Sequence, residues 1–197
     1  MDEAKMKPAS VTTYKRGAAE FSSQVARMKA DGCDLVFLAT IVRETIGAMT
    51  EGRKIDFNPV WATSAAANVQ DVVTLGKDAV EGVYATGLYE TPYEDWATPP
   101  VKACIARHRK MFGGDPNTQT IYGYNAIMNF ACYAKMAGKN LNSETMLAAL
   151  ESGKGCGDIF GDKPLSYSKD NHLHAITAQL HQIKGGRWVT LSRELPM

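Results

Sequence analysis

The sequence predicts an α/β fold built around a parallel sheet, and two patterns in the chain lead to this prediction. First, short apolar runs rich in β-branched and aromatic residues alternate with segments of helical periodicity through the first half. Second, strand signals then stop, and three helical segments follow before strand signals return near the end. The first pattern indicates a parallel sheet covered on both faces. The second indicates that the chain leaves this part of the fold and returns to it.

The alternating half supplies four strands and three helices. The run over 35–39 is continuously apolar and too short for a buried helix, so we interpret it as a central parallel strand. The helix before it carries apolar residues at helical spacing and ends at Gly32. The predicted elements are a strand over 11–14, a helix over 21–30, strands over 35–39, 59–63 and 82–86, and helices over 42–53 and 71–75.

The second half begins after a proline-punctuated stretch that ends at Pro100. Helices are predicted over 101–112, 122–137 and 143–150, the last with a capping residue at Asn142. A terminal β-hairpin over 175–191 turns at Gly185 and Gly186. No sheet of their own is available for the three helices, so they are expected to pack in a separate part of the molecule.

Composition excludes several classes of partner. The chain has 197 residues and a formal net charge of +1, which gives no electrostatic footprint for nucleic acid or an acidic membrane. No apolar run is long enough to span a bilayer. Four of the first seven residues are charged and no apolar segment follows them, so no signal peptide is predicted. This start suits a cytoplasmic protein or a chain cut from a longer precursor.

The four cysteines are widely spaced, at Cys33, Cys104, Cys132 and Cys156. None forms a C-x-x-C pair, which disfavours zinc and thioredoxin-type sites. Two states stay open at this point. Either the thiols are free and buried, or Cys104 and Cys132 form a disulfide in an oxidising compartment.

Motifs for catalysis are missing from the sequence. It contains no G-x-S-x-G nucleophile elbow and no glycine-rich phosphate loop of either common type. His172 and His174 would share a face of a strand, but no third ligand stands at a recognised spacing. We therefore predict a protein that is not an enzyme and that needs no metal and no cofactor.

Polar residues at the ends of the predicted strands are the candidate ligand-binding residues. Thr40 follows the run 35–39, and Thr63 and Ser64 end the next strand, before the small Ala65. In parallel α/β sheets ligands bind beyond the carboxyl ends of the strands, where small hydroxyl side chains can hydrogen-bond a solute. The competing interpretation is that Thr40 and Ser64 merely cap the helices that follow.

Two further candidates come from the helical block. Gln119 lies just before the predicted helix 122–137 and is well placed to reach a cleft. Tyr122 is kept as a candidate, although core packing is the default for the aromatic residues of this helix.

Four segments of the chain resemble one protein family. Residues 14–36 read YKRGAAEFSSQVARMKADGCDLV, and this run looks like a passage of the type I periplasmic solute-binding proteins, in particular their leucine/isoleucine/valine-binding branch. The further similar segments, in the family's order, are 79–84, 122–126 and 185–189. Each motif is loose alone, and together they are fairly specific.

The resemblance implies a partial type I periplasmic binding fold. Residues 1–88 and 155–197 would form the second α/β lobe, residues 96–152 would be the helical part of the first lobe, and the chain would cross near 89–95 and 153–157. Family members carry a signal peptide and most of a first lobe upstream. The chain would therefore be a C-terminal fragment of a periplasmic or extracellular protein.

The resemblance also carries over site residues. Thr40 and Gln119 match positions that face the family's cleft, and Ser64 matches a position where amino-acid binders often have an acidic residue. A neutral hydroxyl there suits a carboxylate, an amide or an aromatic acid equally well.

The function implied is the substrate-binding component of an ABC transporter. Its partners would be permease subunits and a small ligand, either a branched-chain amino acid or a related organic acid. A sensory or receptor domain of the same fold is the alternative, and a fused kinase or cyclase would favour it. An α/β hydrolase would need a nucleophile–base pair that the sequence lacks.

Overall fold

The computed structural model describes residues 7–160, 167–173 and 177–196. Its helices are α1 (Ser22–Ala30), α2 (Val42–Lys54), α3 (Gln70–Gly76), α4 (Pro99–Phe112), α5 (Thr118–Ala137) and α6 (Ser143–Leu150). Its strands are β1 (Leu35–Leu38), β2 (Val60–Thr63), β3 (Tyr84–Gly87), β4 (Thr177–Lys184) and β5 (Arg187–Pro196). The predicted α/β class is confirmed.

One five-stranded sheet has the order β1-β2-β3-β4-β5. β1 pairs with β2 in parallel, with Leu35 opposite Val60 and Leu38 opposite Thr63. β2 pairs with β3 in parallel as well, with Thr63 opposite Ala85. The carboxyl ends of these three strands therefore lie at one edge of the sheet, where the candidate residues of the first half are found.

The strand predicted over 11–14 is wrong. These residues have no regular secondary structure, and β1 is the first strand of the sheet order. A strand requires a neighbour for its backbone hydrogen bonds, and the sequence pattern alone does not reveal whether that neighbour is present.

Contacts divide the chain into two units, and the first contains residues up to Gly87 and Leu180–Leu191. Its core forms where α1, α2 and α3 pack on one face of the sheet. Val25, Met49, Val72 and Val83 are fully buried there. Trp188 of β5 joins this core and donates a hydrogen bond from its indole Nε1 to the Val69 carbonyl at 3.0 Å.

The second unit contains Leu88–Gln179 and the residues from Ser192 onward. Asn117 and Asn142 begin α5 and α6 with capping boxes, in which side chain and backbone of the first turn bond reciprocally. Helix α5 begins at Thr118, so Gln119 lies in its first turn and not before it, as the sequence suggested. None of the helices in the described ranges combines the length and apolar character of a membrane span.

A disulfide joins Cys132 of α5 to Cys156. The pairing of Cys104 with Cys132 left open by the sequence is wrong, because Cys104 is a free, buried thiol in a different apolar cluster. Cys156 packs with Tyr133 and Ala149, which brings it against the face of α5 that carries Cys132.

Candidate functional site

The candidate residues of the first unit lie at the carboxyl ends of β1 and β2. Leu38 pairs with Thr63 in the sheet, so the chain leaves both strands at the same edge. Thr40 follows β1 by two residues, and Ser64 and Ala65 follow β2 directly. The parallel register therefore brings these residues to one edge of the first unit.

Thr40 is buried, and its hydroxyl lies 2.6 Å from the hydroxyl of Thr45. Thr45 lies in the first turn of α2 and is fully enclosed. Either hydroxyl can donate this bond, so the pair can present a donor or an acceptor at Thr40 by exchanging roles. The sequence analysis missed Thr45, whose only signal was its position five residues after Thr40.

Thr63 and Ser64 make different hydrogen bonds. The Thr63 hydroxyl donates to the Leu38 carbonyl at 2.9 Å and is buried, so it ties β2 to β1 and retains only acceptor capacity. Ser64 is half-buried, and its Oγ accepts from the Ala66 N–H at 3.3 Å. Its hydroxyl proton has no partner in that bond, so Ser64 can donate to a ligand.

A tight turn holds Ser64 and Ala65 in place. The Ser64 carbonyl accepts from the Ala67 N–H at 3.1 Å, and the Ala65 carbonyl accepts from the Asn68 N–H at 3.2 Å. The half-buried Ala65 contributes no bulk beyond its methyl group. The turn is thus compact and fixes the position of Ser64 at the end of β2.

The competing capping interpretation does not describe these helices. Helix α2 begins after Ile41 and α3 after Val69, and neither N-cap residue makes a side-chain hydrogen bond to its helix. No N-cap side chain occupies the first N–H groups of α2, at the edge that carries Thr40, and helix N-termini of this kind favour an anionic group. Glu44 in the same turn is buried, and its Oε1 accepts from the Gly17 N–H at 3.4 Å.

Three residues that were not predicted from the sequence lie beside β3, namely Asn68, Gly87 and His181. The buried Asn68 donates from Nδ2 to the Thr86 carbonyl at 3.3 Å. Gly87 ends β3, and a Cβ there would collide with the Asn68 amide and come within 3.0 Å of Nε2 of His181. Only a glycine lets these two side chains approach β3 so closely.

His181 of β4 is 1% exposed, and neither ring nitrogen has a hydrogen-bond partner among the described residues. Burial lowers the pKa of its imidazole from 6.5 to about 4, because the charged form loses its hydration. The side chain is therefore neutral at physiological pH. No sequence pattern marked it, because its burial depends on the strands beside it.

Gln119 and Tyr122 belong to the second unit. They are three residues apart on α5, so they share one face of the helix. Gln119 is exposed, and Tyr122 is 38% exposed with its ring edge packed on Tyr89 at 5.3 Å between centroids. Burial raises the pKa of the Tyr122 phenol, so it remains a neutral donor. Both side chains can contact a solute, through an amide and an aromatic hydroxyl.

The chemistry offered is hydrogen bonding. In the first unit, the hydroxyls and the N–H groups at the start of α2 can hydrogen-bond a polar head group. His172 lies 2.8 Å from the Glu151 carboxylate, and His174 lies outside the described residues. Within the described ranges no group of three or more His, Cys, Asp or Glu side chains could hold a metal.

Comparison with known proteins gives one family and many similar structures. The sequence model of the family described as "Periplasmic binding protein" matches residues 3–187. No curated protein matches the sequence. Among solved structures, a branched-chain amino acid ABC transporter protein of Thermus thermophilus with bound valine has a TM-score of 0.81 and 17% identity, covering 94% of this chain and 52% of that one.

Two other structures are similar over the same extent. A fatty acid ABC transporter substrate-binding protein of Thermomonospora curvata has a TM-score of 0.79 and 18% identity, covering 93% of this chain and 49% of that one. A solute-binding protein of R. palustris in complex with benzoate has a TM-score of 0.73 and 16% identity, covering 94% and 50%. The chain thus spans about half the length of each of these proteins, and at such identities the likeness shows the fold.

Proposed function

This chain belongs to the periplasmic binding protein family, and from that premise we propose that it serves as part of the substrate-binding component of an ABC transporter for small carboxylates. The observation that carries the proposal is the hydroxyl set at the carboxyl edge of β1 and β2, where Ser64 has a free donor and α2 has uncapped N–H groups. This edge suits an anionic head group. The protein binds its solute without transforming it.

A carboxylate is the chemistry that the ligands of the similar structures share. Valine, benzoate and a fatty acid each combine a carboxylate with an apolar part, and they differ in charge and shape elsewhere. Ser64 is neutral and provides no negative charge for an ammonium group. The ligand therefore needs no ammonium group, and the proposal covers simple organic acids as well as branched-chain amino acids. Gln119 and Tyr122 of the second unit are further candidate contacts, through an amide and a phenol.

The partners and the location follow from the same proposal. Permease subunits would recognise the ligand-bound form of the protein. The disulfide between Cys132 and Cys156 supports a periplasmic or extracellular location, because disulfides persist in oxidising compartments.

The proposal is tested by NMR titration of the chain with valine, benzoate and octanoate. Because the chain spans about half of the similar structures, we expect Kd values near or above about 1 mM, which corresponds to about −4 kcal/mol. Amide shifts should concentrate at Thr40, Ser64 and Ala65. Thr40→Val is expected to weaken benzoate binding, whereas Thr74→Val on the exposed side of α3 serves as a control. Shifts spread elsewhere, or none at all, would contradict the proposed site.

Introducing an acidic side chain should change ligand preference. In Ser64→Glu the new carboxylate attracts the ammonium of valine and repels benzoate, so we expect preference for valine over benzoate to rise by up to about fivefold. The uncharged variant Ser64→Gln, of similar size, should not show this rise. An unchanged preference in Ser64→Glu would count against a ligand site beside Ser64.

A further inference from the structure

The loop between β2 and α3 carries Ser64, and its two halves differ in burial. The loop comprises residues 64–69. Residues 64–66 are half-buried or exposed, whereas residues 67–69 are buried and Ala67 is fully enclosed. Solvent therefore reaches the first half of the loop, and the rest of the first unit covers the second half.

Hydrogen bonds inside the loop give it its shape but do not fix it on the sheet. The Ala66 N–H donates to Oγ of Ser64 at 3.3 Å. The Ala67 N–H donates to the Ser64 carbonyl at 3.1 Å, and the Asn68 N–H donates to the Ala65 carbonyl at 3.2 Å. Each of these bonds joins two residues of the same loop. The orientation of Ser64 therefore also depends on contacts that the buried half makes with other elements.

The first such contact is a side-chain hydrogen bond to β3. Asn68 donates from Nδ2 to the Thr86 carbonyl at 3.3 Å. Because Asn68 is buried, loss of this bond would leave a buried polar group unsatisfied. Gly87, the next residue of β3, makes the approach possible, since a Cβ there would overlap the Asn68 amide. The buried half of the loop is thus tied to β3.

The second contact is a side-chain hydrogen bond from β5. The indole Nε1 of Trp188 donates to the Val69 carbonyl at 3.0 Å, and both residues are buried. The same carbonyl accepts from the Val72 N–H at 3.2 Å in the first turn of α3. The indole therefore ties the end of the loop and the start of α3 to a strand that lies 119 residues further along the chain.

We propose that Asn68 and Trp188 are positioning residues of the ligand site: they tie the buried half of the loop 64–69 to β3 and β5, and thereby hold Ser64 in the orientation in which it meets a solute. The two bonds come from different strands and act on neighbouring residues, so the end of the loop is fixed at two points. A binding group held in place before the ligand arrives avoids the entropy cost of ordering it. The proposal rests on the proposed function, because it concerns the same Ser64.

Amide hydrogen exchange measured by NMR tests the positioning without a ligand. The measured quantity is the exchange rate of the Ala67 amide divided by that of the Met49 amide in α2, because a change in global stability affects both rates alike. Asn68→Ala removes the bond to β3. Benzothienylalanine in place of Trp188 replaces the indole N–H by sulfur and keeps the ring system. Each change should raise the ratio by about three- to tenfold, as expected for one lost hydrogen bond.

Two further variants separate positioning from stability. Gly52→Ala crowds Trp61 at a contact outside the loop, so it should leave the ratio unchanged even if it lowers stability. Gly87→Ala removes no donor but crowds the Asn68 amide, so it should raise the ratio. An unchanged ratio in Asn68→Ala, in Gly87→Ala and in the chain with benzothienylalanine at position 188 would overturn the proposal.

Titration with benzoate then tests the effect on binding. In the chain that carries both Asn68→Ala and benzothienylalanine at position 188, neither side-chain bond remains. The benzoate Kd read from the Ser64 amide should therefore rise by at least about threefold, as the fraction of chains with a correctly placed loop falls. A raised Ala67 ratio with an unchanged benzoate Kd would overturn the role in binding. A wild-type chain that binds no benzoate at Ser64 would contradict the proposed function, and the Ala67 ratio would still decide whether Asn68 and Trp188 position the loop.

Discussion

At the scale of single residues, His181 shows how burial sets the chemistry of a side chain. Its imidazole lies among Gly87, Asn68 and the core strands and has no hydrogen-bond partner among the described residues. Because a charged ring could not be hydrated there, the pKa is lowered to about 4. In the folded chain the imidazole of His181 is therefore mainly neutral as long as the solution pH is above this pKa.

We therefore expect the chain to lose stability as the pH falls. Between the unfolded pKa of 6.5 and the folded pKa of about 4, the unfolded chain binds the proton more tightly. The free energy of unfolding should decrease by about 2 kcal/mol between pH 7 and pH 5 from this residue. Urea unfolding at both pH values measures the decrease.

The matched control for this prediction is His181→Phe, which keeps a planar ring and removes the titration. The difference in unfolding free energy between pH 7 and pH 5 should be smaller in the variant by about 2 kcal/mol. An equal pH dependence in both proteins would show that other groups cause it.

Individual residues are also where prediction from the sequence reached its limit. Thr40 and Ser64 could be named because a position at the end of a strand is a local property of the chain. Asn68 and His181 could not, since each depends on a partner strand more than ten residues away. The sequence left free thiols and a Cys104–Cys132 bond open, and the observed disulfide between Cys132 and Cys156 is neither, because no spacing rule applies at a sequence separation of 24.

At the scale of elements, close packing between α2 and β2 depends on a glycine. Gly52 lies inside α2, and a Cβ at this position would come within 2.7 Å of the Trp61 ring and 3.1 Å of the Phe57 carbonyl. The Trp61 ring is buried and packs edge-on against Phe57, so it has little room to move. Glycine has a poor helix propensity, but at this position it allows α2 to pack closely on β2.

Gly52→Ala should therefore lower the free energy of unfolding by about 1–3 kcal/mol, because overpacking exceeds the gain in helix propensity. Gly123 of α5 is the matched control, since it lies inside a helix with no atom within 4 Å of an added Cβ. Gly123→Ala should raise the free energy of unfolding by up to about 1 kcal/mol. Thermal or urea unfolding measures the free energy of unfolding of both variants. A stabilising effect of Gly52→Ala would contradict the packing argument.

Elements with strong local signals were predicted well. Helix α6 begins and ends where expected because Asn142 caps it, and β1 and β2 differ from prediction by one residue each. The segment 11–14 has the composition of a strand, yet it lacks a neighbour and forms none. Strand pairing is a property of two segments, so it cannot be read from one of them.

At the scale of the whole molecule, the chain passes between its two units at Gly87, Gln179 and Leu191. The change from alternating elements to helices alone predicted that the chain leaves the first sheet. The points of passage depend on tertiary contacts, which composition does not reveal. Assignment of residues 1–88, 155–197 and 96–152 to the two lobes of the family remains a prediction.

The disulfide should stabilise the two units unequally. Cys132 and Cys156 close a loop within the second unit, and the apolar cluster around them belongs to the same unit. At a sequence separation of 24, loop closure contributes about 3 kcal/mol to stability. Reduction should therefore speed amide exchange in α5 and α6 by about a hundredfold, while amides of α2 and β2 change far less. The variant Cys132→Ala/Cys156→Ala should exchange like the reduced chain and should not respond to reductant. Equal acceleration in both units would mean that the chain unfolds as one cooperative body, and the two contact-defined units would then not be separate units of stability.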